Sequence, residues 1–547
     1  MKKISTLPFL IVMSLALVLT VPLFWVNADK VSAASSTYYV DSENGNDTSD
    51  GLSPTTPWKS LDNVNATIFL PGDQILLKAG SIWTGEQLSP KGSGTSSDPI
   101  VINTYGTGDK PRLDGEGAFD STVYLYNQEY WEINNIEVTN QTSIGDFRGI
   151  YVTGADYGTI SHIYLKGVHV HDVTGEVNWI GGDVEDSTGP INFGSGWDAS
   201  KRTGGIVFDV TTNVADDVAP TVKTKFDDII IEDSVIENTS FGGIIFKQYA
   251  GNNAKPVNWG TRSSATDTKF YPHSNIIIRN NYVDQSNSDY GCNGIYVTGV
   301  QNVLVENNLV VGAGTVGIEA YFADSVIIQK NEVRDTEKKA GGSDHSGIDP
   351  DKATTNITVQ YNYIHDNGDG ILLCQFSFGS ANIRYNVIES NSRHNIYLHA
   401  DARAKINIYN NVIYSDKSQS LIYGYGKYLN AEYNIKNNIF YSTVPNAVLT
   451  TGGNILYDHN TYYGTGINVP TQDTNAKTTD PMLVNPGSGV AGTKLTGPNL
   501  SSLEGYKLLP GSPSINSGIS YTTIKPDADF YGNPLYNKAA DRGVHEY

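Results

Sequence analysis

The chain has 547 residues, with 58 acidic against 37 basic side chains and a formal net charge of −21. That balance excludes nucleic acid as an expected partner, because such affinity rests on a basic face that neutralises phosphates. With 55 Gly and 34 Tyr but 3 Met, the composition disfavours a helical bundle and points to an all-β chain, since Gly weakens helices and aromatic residues favour strands.

The amino end reads as an export signal over residues 1–33. Lys2 and Lys3 precede an apolar run from Leu7 to Val26, and Val31-Ser32-Ala33 supplies a small-residue cleavage site before Ala34. The apolar run is also long enough to anchor in a membrane, which is the competing reading. Cleavage leaves a secreted, monomeric chain with no membrane association. Residues 34–110 are expected to form an amino-terminal cap and first coils, 111–463 the main repeat, and 464–547 a carboxy-terminal extension packed upon it. Two cysteines, Cys292 and Cys374, are too few for a disulfide framework.

A repeat organises the middle of the chain. Short β-rich units each end in an Asn-rich turn, as in Asn275-Ile-Ile-Ile-Arg-Asn-Asn281 and Asn302-Val-Leu-Val-Glu-Asn-Asn308, and the series continues through Asn331, Asn362, Asn386, Asn411, Asn438 and Asn460. Stacked coils whose Asn amides bond to one another, in turns that tolerate left-handed backbone, account for this pattern. The ladder resembles that of right-handed parallel β-helix proteins such as pectate lyases.

A second strand of each unit aligns on an Ile: Ile150, Ile206, Ile244, Ile295, Ile318, Ile348, Ile371, Ile396 and Ile422. If each Ile points inward, the position two residues later is also inward, and there it is almost wholly apolar, from Val152 and Phe208 to Leu373 and Leu398. Gly precedes the Ile in seven successive coils, Gly149 to Gly370. Two readings of that column stay open: a floor without side chains under a long ligand, or a positive φ at the start of the strand. The outward columns then gather Glu319, Asp349 and Asp351 into one acidic cluster, because neighbouring coils lie about 4.8 Å apart. Tyr296, Tyr321 and Tyr397 wall it, with His399 two coils away and Lys247 on the same face.

Crowded carboxylates raise one another's pKa, the means by which a site holds a protonated acid beside an ionised partner. Glycoside hydrolysis needs such a pair, about 5 Å apart for retention and about 6.5–9.5 Å for inversion. Asp349 and Asp351 are the expected acid and base, with Glu319 and Asp344 as alternates. Asp344 and His345 arrive on a loop beside the cluster, in Gly341-Gly342-Ser343-Asp344-His345-Ser346. The competing reading is a Ca²⁺ site, with Asp349, Asp351 and Asp369 as its ligands. Two Trp-bearing excursions, Trp179 to Arg202 and Asn252 to Lys269, either wall a groove or cap the core.

The opening, Tyr38-Tyr39-Val40-Asp41-Ser42 through Asp50-Gly51-Leu52-Ser53-Pro54 to Trp58, resembles that of many secreted bacterial β-helix polysaccharide-degrading proteins. So does the ending, Leu509-Pro510-Gly511-Ser512-Pro513 with Asp541-Arg542-Gly543-Val544-His545-Glu546. The run Gly347-Ile348-Asp349-Pro350-Asp351 is similar to a segment of β-helix glycoside hydrolases, where clustered Asp residues serve as acid and base. The resemblance implies a secreted enzyme that cleaves a polysaccharide or oligosaccharide, with no cofactor needed for hydrolysis. The alternative it implies is a Ca²⁺-dependent lyase acting on a uronate polymer. Against that alternative, His399 stands where such a lyase has its Lys or Arg base, and Asp369 lacks an acidic neighbour in sequence. A non-catalytic glycan-binding solenoid is the third reading.

Overall fold

In the computed structural model of the chain, the described residues are 35–143, 145–175, 203–212, 220–247, 259–288, 293–339, 342 and 344–547. The export signal, Trp179, Trp197 and Cys292 fall outside them. Three long parallel sheets run the length of the molecule. Sheet A has fourteen described strands, from Thr37–Val40 to Ile455–Asp458; sheet B has thirteen, from Ile82–Thr84 to Thr461–Tyr463; sheet C has eleven, from Ser121–Tyr126 to Val448–Leu449. The chain visits them in rotation, so that every strand pairs with its counterpart one coil away. This is a right-handed parallel β-helix. The ladder of sheet A already starts at Thr37, so residues 34–110 hold complete strands of the first coils.

The Ile alignment is the register of sheet C. Ile150, Ile206, Ile244, Ile295, Ile318, Ile348, Ile371, Ile396 and Ile422 are successive direct partners. All of them are buried in one apolar core that extends along the helix. Each such side chain contributes about 1.5–3 kcal/mol relative to exposure, which fixes the register because a one-residue slip would turn the whole column outward.

The Asn ladder is continuous. The side-chain oxygens of Asn308, Asn331, Asn362, Asn386, Asn411, Asn438 and Asn460 each accept from the backbone N–H of the ladder Asn one coil earlier, at 2.9–3.0 Å. Asp473 closes the series by accepting from the Asn460 N–H. The left-handed residue of each turn is not the ladder Asn but the one before it: Asn280, Asn307, Lys330, Tyr361, Tyr385, Asn410, Asn437 and His459 have φ between 51° and 58°. Non-Asn residues accept that strain because the amide lock beside them determines the turn.

The Gly column has a third cause. None of Gly149, Gly205, Gly243, Gly294, Gly317, Gly347 and Gly370 has a positive φ, and none offers its missing side chain to the exterior. A Cβ on Gly347 would stand 2.8 Å from Ile364 Cγ2 and 2.9 Å from the Gly370 carbonyl. The column exists because sheet B and the next coil press against the backbone there. The carboxy-terminal segment packs back on the coils: Leu483, Leu503, Tyr506, Leu508 and Val544 cover Val387, Val412 and Ile439 of sheet B.

Candidate active site

Sheet C carries the acidic cluster on its outer face. Glu319, in the strand Val316–Tyr321, pairs directly with Asp349, in the strand Ser346–Pro350. Asp351 lies just past the strand, where its N–H donates to the Ala320 carbonyl at 2.9 Å. Asp344 is carried by the preceding loop, its N–H donating to Thr315 Oγ1 at 3.2 Å. One carboxylate oxygen each from Asp344 and Asp349 and the Cys374 sulfur lie within 4.8 Å of one another. Glu319 and Asp349 are buried, whereas Asp344, Asp351 and Cys374 are half-buried.

Burial, reinforced by the charges of Asp351, Asp344 and Glu319, holds the Asp349 carboxyl well above the ordinary carboxylate range, against one stabilising N–H from Cys374 at 3.1 Å. Asp349 therefore gives up its proton less readily than an ordinary carboxyl. Burial and the same four carboxyl groups push the Cys374 thiol upward too, so it is no nucleophile. Glu319 accepts a 2.6 Å hydrogen bond from Asn293 Nδ2.

One coil further on, burial raises the Asp369 carboxyl to about 7 although Arg393 bonds it at 3.2 Å. Arg393 also contacts His345, whose imidazole burial and that cation lower to about 4. With the Cys374 sulfur, Asp344 and Asp349 form a mixed donor set, whereas Ca²⁺ favours oxygen donors, and Arg393 is paired with Asp369.

The aromatic walls divide into two. Tyr296 and Tyr321, expected as sugar contacts, are instead buried in an apolar cluster with Val207, Ile245, Phe322 and Phe378. Lys247 is fully buried as well. The outer face of sheet C is covered on the amino-terminal side of Glu319, which the strand alignment could not reveal. Trp259 likewise joins the main core. On the carboxy-terminal side the face is more open. There Tyr397 and Tyr423 meet edge to face at 4.9 Å, His394 stacks on Tyr423 at 4.1 Å, and His399 lies 5.6 Å from Tyr397 and 3.8 Å from Tyr428. Burial keeps His394 and His399 at about 4, so both rings are neutral. The aligned columns reach Tyr423 and Tyr425 but not Arg393, which sits in the turn ahead of its strand.

A coiled sheet with an outward acidic cluster beside an aromatic surface places the chain among right-handed parallel β-helix proteins. The description "Right handed beta helix region" matches residues 260–413 and 293–476. The chain is similar to a lacto-N-biosidase from Bifidobacterium longum subsp. longum, 25% identical over a 604-residue alignment that covers 92% of this chain and 36% of that protein. It thus spans about a third of the length of that relative. Among solved structures it is similar to the GH136 lacto-N-biosidase from Eubacterium ramulus, with a TM-score of 0.56, 23% identity, 73% of this chain covered and 67% of that one. The selenomethionine form of the same protein gives a TM-score of 0.54.

Proposed function

We propose that the chain is an exported glycoside hydrolase that cleaves a neutral oligosaccharide or polysaccharide. The observation that carries the reading is the mixed exposure of the carboxyl cluster. Asp344 and Asp351 are the members open enough to meet a substrate, and both neighbour the buried Asp349, whose carboxyl is held well above the ordinary range. In this reading the reacting pair is Asp344 with Asp351, one protonating the leaving oxygen while the other supports the anomeric carbon. Asp349 and Glu319 lie beneath them and set their electrostatics. This shifts Asp349 from reacting group to positioning group.

The neighbouring aromatic surface supports a neutral sugar. Rings of Tyr397, Tyr423 and neutral His399 offer apolar faces and single hydrogen bonds, the features that bind uncharged pyranose rings. A uronate lyase would need a base and cations aimed at a carboxylate; Lys247 is buried, and Arg393 on this surface is paired with Asp369. Likeness to lacto-N-biosidases makes a chromogenic lacto-N-bioside the first substrate to try, alongside a panel of neutral and uronate glycans.

The test reads reducing ends and the ultraviolet absorbance of unsaturated products together, with and without chelator. Hydrolysis without absorbance, lost by about 10²–10⁴-fold in both Asp344→Asn and Asp351→Asn, is the expected result. Chelator-sensitive absorbance would replace this reading with a lyase. Glycan binding without any product would replace it with a binding solenoid.

A further inference from the structure

Sheet B carries a second cluster of chemistry-bearing side chains, on a different face and several coils from the carboxyl cluster. Glu137 lies in the strand Glu137–Asn140, His169 and His171 in His169–Val173, and Glu237 in Val235–Thr239. These three strands are consecutive in the sheet, with His169 paired to Glu137 and His171 to Glu237. Alternation buries Val170 between the two His residues and turns both imidazoles outward, where their rings stack at 4.3 Å.

Donor atoms of Glu137, His169 and His171 lie within 4.8 Å of one another. Glu237 Oε2 is 3.0 Å from His169 Nε2, and Glu137 Oε1 is 3.2 Å from His171 Nε2. The other nitrogen of His171, Nδ1, faces Asp172 Oδ2 at 2.7 Å. A neutral imidazole has one N–H, so His171 meets both carboxylates either as an imidazolium or with a cation beside one of them. Asp172 fixing Nδ1–H leaves Nε2 as the free ligand atom, the arrangement in which a carboxylate orients a metal-binding His.

A related arrangement occurs elsewhere without these features. His365 also sets Nδ1 on the following Asp366 and Nε2 on a Glu one coil back, Glu332. There Glu332 is saturated by the N–H groups of Gly492 and Asn499, and the position two residues before His365 is Tyr363. The earlier coil doubles the His, whereas the second carboxylate beside His365, its strand partner Glu389, is bonded by Tyr363.

We propose that Glu137, His169, His171 and Glu237 form a site for one divalent transition-metal ion, with the His₂ and carboxylate donors that suit Zn²⁺. The ion would tie three successive coils together outside the core. Cations already border the site: Lys494 bonds Glu237 at 2.6 Å, Arg112 lies 3.9 Å from Glu137, and Lys110 faces Glu137. Lys494 comes from the carboxy-terminal segment, so metal and strap compete for Glu237.

The experiment is calorimetric titration of the full, tag-free, EDTA-dialysed chain with Zn²⁺ alone, paired with thermal melts. One ion per chain and a raised Tm are expected. His171→Ala and Glu237→Gln should each weaken binding by about tenfold or more and reduce the Tm rise, while Lys494→Ala should tighten it. Ca²⁺ in the same cell should give no saturable heat. Absence of saturable Zn²⁺ binding in the wild type would overturn the proposal, as would unchanged affinity in both His171→Ala and the milder Glu237→Gln.

Discussion

Glu319 stands beside Asp349 as a direct partner across two coils of sheet C, and both carboxyl groups are buried. Two like charges in that position raise one another's pKa, and burial together with its carboxylate neighbours holds Asp349 well above the ordinary range. A site built this way sacrifices stability for electrostatics.

Replacing Asp349 by Asn should therefore stabilise the fold at neutral pH. Below the unfolded carboxyl value both states hold the proton and nothing is lost. As pH rises past it, the unfolded chain ionises before Asp349 does, so the native state loses ground. Asn removes that loss and keeps an oxygen for the Cys374 N–H. The expected gain is present at pH 7 and vanishes near pH 3, with glycan cleavage reduced. Urea midpoints at both pH values check it.

Asp369 obeys the same sign with a stated window. Its folded value is about 7, so stability falls between roughly pH 4 and 7 as the unfolded chain ionises first. Arg393→Ala removes the partner that holds this value down and should extend the falling limb above pH 7. Asp369→Asn should flatten it. Melts recorded from pH 4 to 9 distinguish the three proteins, and an unaltered limb in Arg393→Ala would contradict the pairing.

His365 runs the other way. Burial disfavours its charge, yet Asp366 and Glu332 on its two nitrogens overcome that and raise it above the ordinary value of 6.5. Its contribution is fully present below that unfolded value and is lost as pH rises through the folded one. His365→Gln should cost about 1–3 kcal/mol at pH 5.5 and progressively less above pH 8. Parallel denaturant titrations at the two pH values measure the difference.

The Asn ladder should show its energy at one rung. Asn362 donates from Nδ2 to the Ile328 carbonyl and to Asn386 Oδ1, and its own oxygen accepts from the Asn331 N–H. Asn362→Ala leaves these buried groups unpaired, an expected loss of about 2–4 kcal/mol, whereas Asn362→Asp should be intermediate. Equal stability of Ala and wild type in chemical unfolding would mean that the turn is held by other means.

The coil, its core and its ladder were legible in the chain because they depend on periodicity: Ile150 through Ile422 and Asn281 through Asn460 recur at one place in every unit, and period-two alternation then decides which side chains face outward. That logic also brought Glu319, Asp349 and Asp351 together. It could not tell how deep each outward residue lies, because burial of an outer face depends on what packs across it from distant segments. Tyr296, Tyr321 and Lys247 share the columns of the half-buried Tyr397 and His399 yet are buried, and Arg393 reaches Asp369 from a turn outside any column. The Gly column shows the same division. Its positions recur in the sequence, but their cause, the approach of Ile364 and the Gly370 carbonyl to Gly347, is a contact between coils that only the packed structure decides.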